Sequence, residues 1–386
     1  MKARMRMHWV AVAAATVGLA ACGGGGGSTT PAAKVTTVKV MGDSLADSGT
    51  FGFKATVQAS ATALTGPGST PVWSERVAAS YSNTLCPHYR ATDTTGANFA
   101  TVATCNNYAV AGGRINNFTA PTSPVSITKQ LADAGAAGYT ADDLVLIDGG
   151  GNDAGDLFGA YLAASTDGGK NFFGLIGSML DPATVQALAA QGAAGMPKAG
   201  AAYMQALAVY FAKSVQTNTL AKGAPRVAVL NMPGVTLTPK FQMVLKKVAA
   251  TQGTAAAQQL NTLFDTWVQT FNTQLATSLG GDKRLTVVDF YASFKDQSAN
   301  PAQYAYQNVT DPACPPTGVD SSGLPTYTFT TCTAQALSAK APPAGATGGA
   351  DWWKSYGFAD SFHPTPFGHQ LLGQLVSRSL SQAGWL

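Results

Sequence analysis

The sequence predicts an α/β protein built around a mostly parallel sheet. Short runs rich in β-branched residues alternate with longer helical patterns along the 386-residue chain. Each helix-length stretch between two strands can serve as a crossover connection, which favours one doubly wound domain. Three of the strand runs end in polar, glycine-rich turns. Because ligands of open parallel sheets bind at the carboxyl ends of the strands, we expect the functional site at these turns.

Composition and charge narrow the classes of protein. Hydrophobic residues make up 46% of the chain, enough to bury a substantial core, whereas charged residues make up only 11%, well below the usual quarter or so. This balance is typical of a secreted bacterial protein. The formal net charge of +4 falls to about +1 without Lys2, Arg4 and Arg6, so the sequence gives no electrostatic support for binding nucleic acid.

The first 22 residues have the pattern of a signal peptide. Basic residues precede the apolar run VAVAAATVGLAA, which ends at Cys22 and is shorter than the about 20 residues that span a bilayer. Leu19, Ala20, Ala21 and Cys22 resemble the lipobox of bacterial lipoproteins, in which the cysteine is lipidated. The alternative is an ordinary signal peptide cleaved near Ala21. The lipobox predicts an exported lipoprotein anchored to a bacterial membrane, in the periplasm or at the cell surface.

The rest of the chain is expected to form a tether and one domain. Residues 23–35 are rich in small residues and are predicted to be a flexible tether. Residues 36–386 are predicted to be a single domain with a loop insertion near residues 295–350, which is rich in Pro, Gly and Thr. A second loop-like stretch covers residues 49–69. Long loops of this kind often form the walls of a binding site.

Four cysteines follow Cys22 in the sequence. Because an exported protein meets an oxidising compartment, they are expected to form disulfides. Three pairings are possible, and proximity favours Cys86 with Cys105 and Cys314 with Cys332. A zinc site is the alternative, but no spacing resembles C-x-x-C.

The individual elements follow in chain order. Strands are predicted at residues 36–41, 106–110, 143–148, 226–231 and 284–290. Helices are predicted at residues 126–134, 181–191, 201–219 and 254–279. A further helix is expected to begin with Thr70 as its N-cap and Pro71 in its first turn. The last helix is expected to begin at Thr365 and Pro366 and to dock through one apolar face, formed by Phe367, Leu371, Leu372, Leu375, Val376 and Leu380.

The turns after three of these strands contain the parts of an acyl-transfer site. They are Gly42-Asp43-Ser44, Ala111-Gly112-Gly113 and Gly149-Gly150-Gly151-Asn152-Asp153. On one edge of the sheet they supply the hydroxyl group of Ser44, a backbone N–H of the second turn and the side-chain amide of Asn152. A nucleophile with donors for the negative oxygen of a tetrahedral intermediate is what acyl transfer requires.

A serine hydroxyl is a weak nucleophile at neutral pH and needs a base. His363 fits this role, because Asp360 lies three residues earlier, where its carboxylate can accept a hydrogen bond from one imidazole nitrogen. The other nitrogen can then face Ser44. The three remaining histidines lie in the predicted signal peptide, in a predicted surface loop and in the last helix (His8, His88 and His369).

Four short blocks, taken together and in order, resemble the GDSL, or SGNH, hydrolases. They are GDSL at 42–45, Asn107 with Gly112 five residues later, GGND at 150–153 and DSFHP at 360–364. The resemblance extends from residue 42 to about residue 368. It implies a three-layer α/β/α flavodoxin-like fold with long loop insertions, and hydrolysis of carboxylic esters through an acyl-enzyme. The continuation ADSG at 46–49 is similar to the Ser-Asp-Thr-Gly of the secreted lecithinase and thermolabile-hemolysin branch.

The resemblance also implies roles for individual residues. Ser44 is the nucleophile, His363 is the general base and then the general acid, and Asp360 orients His363. The oxyanion hole consists of the N–H of Ser44, the N–H of Gly112 and the amide of Asn152. Gly113 is the alternative to Gly112, which is preferred only for its distance from Asn107.

The sequence leaves the substrate open. Trp352 and Trp353 lie just before the loop with Asp360, so one of them is a candidate for lining the acyl or leaving-group pocket, with simple packing as the alternative. No metal-ligating pattern is visible, and hydrolysis by this route needs no cofactor. The expected partner is an ester substrate: a lipid, a short-chain ester or an acetylated glycan.

Other hypotheses stand beside a GDSL esterase or lipase. One is a polysaccharide O-acetyl esterase, and another is a catalytically silent lipoprotein that binds a partner through the long loops. The combination of Ser44, Asn152, Asp360 and His363 argues against a silent protein. A classical α/β-hydrolase is disfavoured, because its G-x-S-x-G motif ends here in Ala46.

Overall fold

A four-stranded parallel sheet forms the centre of the computed structural model, which describes residues 34–93 and 96–386. The predicted signal peptide, the lipidation site Cys22 and residues 23–33 of the predicted tether lie outside the described residues. The sheet and the helices around it position the site.

The strands are β1 (Thr37–Met41), β2 (Tyr89–Ala91), β3 (Phe99–Thr101), β4 (Asp143–Ile147), β5 (Val227–Leu230), β6 (Leu285–Val288), β7 (Asn308–Pro312), β8 (Gly318–Val319), β9 (Pro325–Thr326) and β10 (Tyr356–Phe358). The α-helices are α1 (Trp73–Ser80), α2 (Ile127–Ala137), α3 (Gly151–Asp167), α4 (Lys170–Ile176), α5 (Pro182–Ala189), α6 (Gly195–Asn218), α7 (Pro239–Gln252), α8 (Thr254–Leu279), α9 (Phe290–Ala299), α10 (Ala334–Ser338) and α11 (Pro366–Gln382). Short 3-10 helices occur at Gly192–Ala194, Leu220–Lys222, Val235–Leu237, Pro301–Tyr304, Phe329–Thr331 and Gly349–Ser355.

The central sheet has helices on both faces. Its order is β1-β4-β5-β6, with every neighbouring pair parallel. Since side chains alternate between the two faces of a strand, Val145 and Ile147 of β4 pack with α2, α3, α6 and α8, whereas Leu144 and Leu146 pack with α1 and α11. Both side-chain layers are buried. The predicted three-layer α/β/α fold with a mostly parallel sheet is confirmed.

The segment at residues 106–110 differs from the prediction of a full strand. It runs beside β1, where the Val40 N–H donates to Asn106 O at 3.0 Å and the Tyr108 N–H donates to Val40 O at 2.7 Å. The pairing continues just beyond β1, where the Val110 N–H donates to Gly42 O at 3.2 Å. On its other side the segment pairs through Asn107, which exchanges backbone hydrogen bonds with Cys86 and His88. If this segment is counted as the second of five strands in chain order, the strands lie across the sheet in the order 2-1-3-4-5, which is the flavodoxin-like order.

Most predicted helices are present, but the first begins later than expected. Thr70 is not its N-cap, since Val72 has that position. The carboxylate of Glu75 accepts the Val72 N–H at 2.9 Å and is itself held by Lys54 Nζ at 2.7 Å, so the capping interaction fixes the start of α1 two residues beyond Thr70. Helices α3, α4, α7, α9 and α10 were not predicted. Among the described residues, no helix combines the length and apolar character needed to span a membrane.

The two predicted cysteine pairs are both formed, Cys86 with Cys105 and Cys314 with Cys332. The second lies in the predicted loop insertion, which folds over a small core that contains Leu337 and also Val57 of the 49–69 loop. Backbone hydrogen bonds join this insertion to the 49–69 loop: the Gln58 N–H donates to Cys332 O at 2.9 Å. The two long loops therefore support each other.

A buried histidine makes stability depend on pH. His369 in α11 is fully buried, and its Nδ1 accepts the Trp73 N–H at 3.3 Å. Burial, with the nearby charge of Arg76, lowers the pKa of His369 to about 3, whereas the unfolded chain titrates near 6.5. The unfolded state therefore binds an extra proton as the pH falls below about 6.5. The free energy of unfolding then decreases by up to about 1.4 kcal/mol for each further pH unit.

We expect His369→Asn, whose Oδ1 can replace Nδ1 as the acceptor for Trp73 and which does not titrate, to flatten this acid dependence. Urea unfolding of both proteins at a series of pH values from 7 downwards measures it. An equally steep loss in both proteins would assign the acid sensitivity to other groups.

Candidate active site

The turn that carries Ser44 is held by side chains of neighbouring elements. The Gly42 N–H donates to Gln130 Oε1 of α2 at 2.8 Å, and the Asp43 N–H donates to Asp148 Oδ1 at 3.0 Å. Asp148 directly follows β4, so this bond joins the carboxyl ends of β1 and β4. A Cβ on Gly42 would lie 1.6 Å from the same carboxylate oxygen. Only glycine therefore fits at this position.

Ser44, His363 and Asp360 form one continuous chain of hydrogen bonds. Ser44 Oγ lies 2.7 Å from His363 Nε2, and His363 Nδ1 lies 2.9 Å from Asp360 Oδ2. The second carboxylate oxygen, Asp360 Oδ1, accepts the backbone N–H groups of Phe362 at 2.7 Å and His363 at 2.6 Å. These bonds fix both the carboxylate and the short loop between it and the imidazole. The residues that the sequence selected from opposite ends of the chain are brought together.

The environment favours the ion pair between Asp360 and His363. Burial alone lowers the pKa of His363, but the charge and hydrogen bond of Asp360, with a smaller contribution from Asp43, raise it above its ordinary value. For Asp360, burial raises the pKa, but the charge and hydrogen bond of His363 and two backbone N–H groups lower it on balance. The carboxylate therefore stays ionised and attracts a proton to the imidazole.

The glycine turn after residue 110 packs directly against the Ser44 turn. A Cβ on Gly113 would lie 2.7 Å from Gly42 O, and Gly112 adopts φ of +80°. The Gly113 N–H donates to Val110 O at 2.9 Å, whereas no hydrogen bond within the described residues uses the Gly112 N–H. Gly112 thus has a backbone donor available for a ligand, and Gly113 does not.

Asn152 lies at the start of α3 and is linked to the same turn. Its Nδ2 donates one hydrogen to Gly113 O at 2.9 Å. A primary amide has two N–H groups, so the second remains available. The sequence predicted a turn at this position, but the structure begins a helix at Gly151, which gives the amide a rigid base.

Two buried residues that the sequence analysis did not assign to the site hold these turns together. Asp47 Oδ2 accepts the Ala111 N–H at 2.8 Å, while its Oδ1 accepts the N–H groups of Gly49 and Thr50. Asn107 Nδ2 donates to Ala46 O at 2.8 Å. Asn107 belongs to one of the four family blocks and Asp47 to the ADSG continuation at 46–49. Only the fold shows which distant backbone groups their side chains bind.

Aromatic side chains flank the imidazole, and they are not the predicted tryptophans. Phe329 of the loop insertion and Phe362 each place a ring edge-on to His363, with ring centres 5.5 Å apart. Trp352 and Trp353 are instead 3% and 5% exposed in the core of the loop insertion. Their indole N–H groups donate to Leu337 O and Ser338 Oγ, which favours the alternative that both tryptophans serve packing.

The family model described as GDSL-like Lipase/Acylhydrolase matches residues 38–376. The chain belongs to this family. As a GDSL acylhydrolase it is a hydrolase that acts on esters. No curated protein sequence shows significant similarity to the chain. Among solved structures, the lipase Lip_vut3 from a goat rumen metagenome matches with 13% sequence identity and a TM-score of 0.38, covering 89% of this chain and 97% of that chain.

A substitution at Gly42 tests how the GDSL turn is held in place. In Gly42→Ala the new methyl group would displace the Asp148 carboxylate and break its bond to the Asp43 N–H, so we expect ester hydrolysis to fall at least 100-fold. Gly155→Ala in α3 is the matched control: a Cβ there meets nothing within 4 Å, and alanine should stabilise the helix by up to about 1 kcal/mol. Initial rates and circular dichroism of both variants measure the contrast, and an active Gly42→Ala enzyme would contradict it.

Proposed function

We propose that this GDSL acylhydrolase cleaves carboxylic esters through a serine acyl-enzyme. The observation that supports it most is the hydrogen-bond chain from Ser44 through His363 to Asp360. A structural role alone does not require a hydroxyl group, an imidazole and a carboxylate in this order. The proposal makes the protein a carboxylic ester hydrolase of the esterase or lipase type.

The reaction takes place in two halves. Ser44 Oγ attacks the ester carbonyl carbon while His363 Nε2 takes the hydroxyl proton, and the resulting imidazolium is stabilised by Asp360. Collapse of the tetrahedral intermediate breaks the carbon–oxygen bond of the ester, and the alkoxide leaves with the proton from His363. Water then attacks the acyl-enzyme, again losing a proton to His363, and the carboxylic acid is released as Ser44 regains its proton.

The oxyanion that forms in each half needs hydrogen-bond donors. We assign this role to the N–H of Ser44, the N–H of Gly112 and the free amide hydrogen of Asn152. The occupied N–H of Gly113 supports the choice of Gly112. Backbone and amide donors fixed before the reaction stabilise the developing charge without having to reorganise.

The proposed location is an exported, membrane-anchored lipoprotein. The lipobox ending at Cys22 supports it, with residues 1–22 as the signal peptide. Two disulfides among the described residues fit an oxidising compartment. Within the family, the ADSG continuation at 46–49 supports a relation to the lecithinase and thermolabile-hemolysin branch.

The direct test is hydrolysis of p-nitrophenyl esters from acetate to palmitate by the protein lacking residues 1–22, beside Ser44→Ala. We expect the variant to lose at least 10³-fold in kcat, because the nucleophile and its acyl-enzyme are removed. Labelling of Ser44 by a fluorophosphonate is the second readout. A folded wild-type protein that neither hydrolyses any ester nor reacts with the probe would be the silent binding protein instead.

The pH profile tests the role of Asp360. Hydrolysis needs neutral His363, so kcat/KM should fall on the acid side with an apparent pKa above 6.5, the ordinary histidine value. In Asp360→Asn the carboxylate that raises the pKa of His363 is gone and burial lowers it, so the acid limb should move to lower pH. The loss of tautomer control should also reduce kcat, by up to about 10⁴-fold. An acid limb that stays in place would assign the titration to another group.

A further inference from the structure

A groove beside the proposed oxyanion hole has no assigned role. It has a volume of about 440 Å³, within the range of about 300–1,000 Å³ that is typical of ligand pockets. Its lining includes Arg114, Asn117, Phe118, Asp156, Asn171 and Leu175. Arg114 directly follows the glycine turn, and its Nη1 donates to Gly112 O at 2.8 Å. Asp156 lies one helical turn after Asn152, on the same face of α3. The groove therefore lies directly beside the turn and the helix that carry the proposed oxyanion donors Gly112 and Asn152.

The polar groups of the groove are arranged in advance. Arg114 and Asp156 form a two-point ion pair, with Nε–Oδ2 at 2.5 Å and Nη2–Oδ1 at 3.0 Å, and both side chains are partly exposed. The loop before Phe118 is fixed from below, because Asp153 accepts the N–H groups of Ile115 and Asn116 at 2.9 and 2.8 Å. The side-chain amide of Asn171 takes part in no hydrogen bond within the described residues. The groove therefore presents an ion pair and an unused amide to its occupant.

One exposed aromatic side chain stands among these polar groups. Phe118 is 52% exposed, so its ring is accessible to a molecule in the groove. Its ring lies at the wall of the groove with Leu175 nearby. A planar apolar surface next to amides and a bidentate ion pair matches a molecule with one C–H face and hydroxyl groups around its edge. Pyranose sugars have this chemistry.

An acyl chain is a poorer occupant of the same groove. A chain lying over Arg114 and Asp156 would remove water from both charges without replacing its hydrogen bonds, and such desolvation costs several kcal/mol. Saccharide hydroxyl groups both donate and accept hydrogen bonds, so they can replace that water. Sites that hold hydrocarbon are lined mostly by apolar side chains, whereas charged and amide groups are prominent here.

We infer that the groove is a saccharide subsite and that the substrate is an O-acylated saccharide. This rests on the proposed ester hydrolysis and narrows its substrate. The sugar occupies the groove while the carbonyl of its acyl group reaches Ser44. The ester carbon–oxygen bond breaks, His363 returns the proton to the sugar hydroxyl, and water releases the acid from the acyl-enzyme as described above.

The test compares two substrates on three proteins. Wild type, Phe118→Ala and Tyr210→Ala are assayed with O-acetylated xylo- and cello-oligosaccharides and with p-nitrophenyl acetate. Tyr210 in α6 is a control aromatic, 42% exposed and outside the groove. In Phe118→Ala, the ratio of kcat/KM for the saccharide ester to that for p-nitrophenyl acetate should fall at least tenfold, mainly through KM. In Tyr210→Ala both values should stay within twofold of wild type.

A second readout does not depend on turnover. Calorimetric titration of the Ser44→Ala protein with xylotetraose and cellotetraose should show binding that weakens at least tenfold when Phe118→Ala is added. If p-nitrophenyl acetate is cleaved but neither saccharide is bound nor its ester hydrolysed, the inference fails while the proposed function stands. A selective loss on p-nitrophenyl palmitate in Phe118→Ala would make the groove an acyl site and overturn it as well. Saccharide binding without cleavage of any ester would overturn the proposed function and the substrate assignment, and would leave only the saccharide subsite.

Discussion

The hydrogen bond from the Asp43 N–H to Asp148 Oδ1 is the constraint on which the site depends. It ties the ends of two adjacent parallel strands and leaves no space for a side chain at residue 42. The position of Ser44 relative to the sheet is set here, before any loop contributes. Both carboxylates lie in the interior, where burial raises the pKa of Asp43 and of Asp148, and the charge of Asp43 raises that of Asp148 further. Burying the carboxyl groups of Asp43 and Asp148 costs electrostatic free energy, which the packing of the surrounding fold offsets.

Around this fixed point, the remaining parts of the site are joined by short polar bridges. Asp47 holds the glycine turn at Ala111, the glycine turn holds Asn152 through Gly113 O, and Asp360 holds the loop that ends at His363. Each bridge joins a side chain to a backbone group, and the first two join segments that are distant in the sequence. Since buried polar groups are costly when unpaired, the network resists small displacements of any one member. Such rigidity suits donors that must face a transient negative charge.

The sheet and the four family blocks could be predicted from the sequence, because both leave local signals. Buried β-branched runs identified β1, β4, β5 and β6 within two residues of their observed ends, and the short blocks identified Ser44, Asn152, Asp360 and His363. Features that arise from packing between distant segments could not be read in the same way. The imidazole meets Phe329 because the loop insertion folds back with its disulfide. Closeness to Asp360 in the sequence suggested Trp352 and Trp353, which are buried in the core of the loop insertion. The difference between Gly112 and Gly113 depends on the carbonyl of Val110, which only the turn geometry shows.

Ser44 and His363 are separated by 319 positions in the chain. A growing polypeptide that already contains the first strand and the GDSL turn lacks an imidazole partner for that serine until almost all of its length has been made. Contacts of such sequence separation form late in folding, because a large loop must close first. The hydrogen bonds from Ser44 through His363 to Asp360 are therefore complete only when the whole domain has folded. A partial polypeptide would contain Ser44 without His363. Under the proposed function, Ser44 gains its general base only at the end of folding.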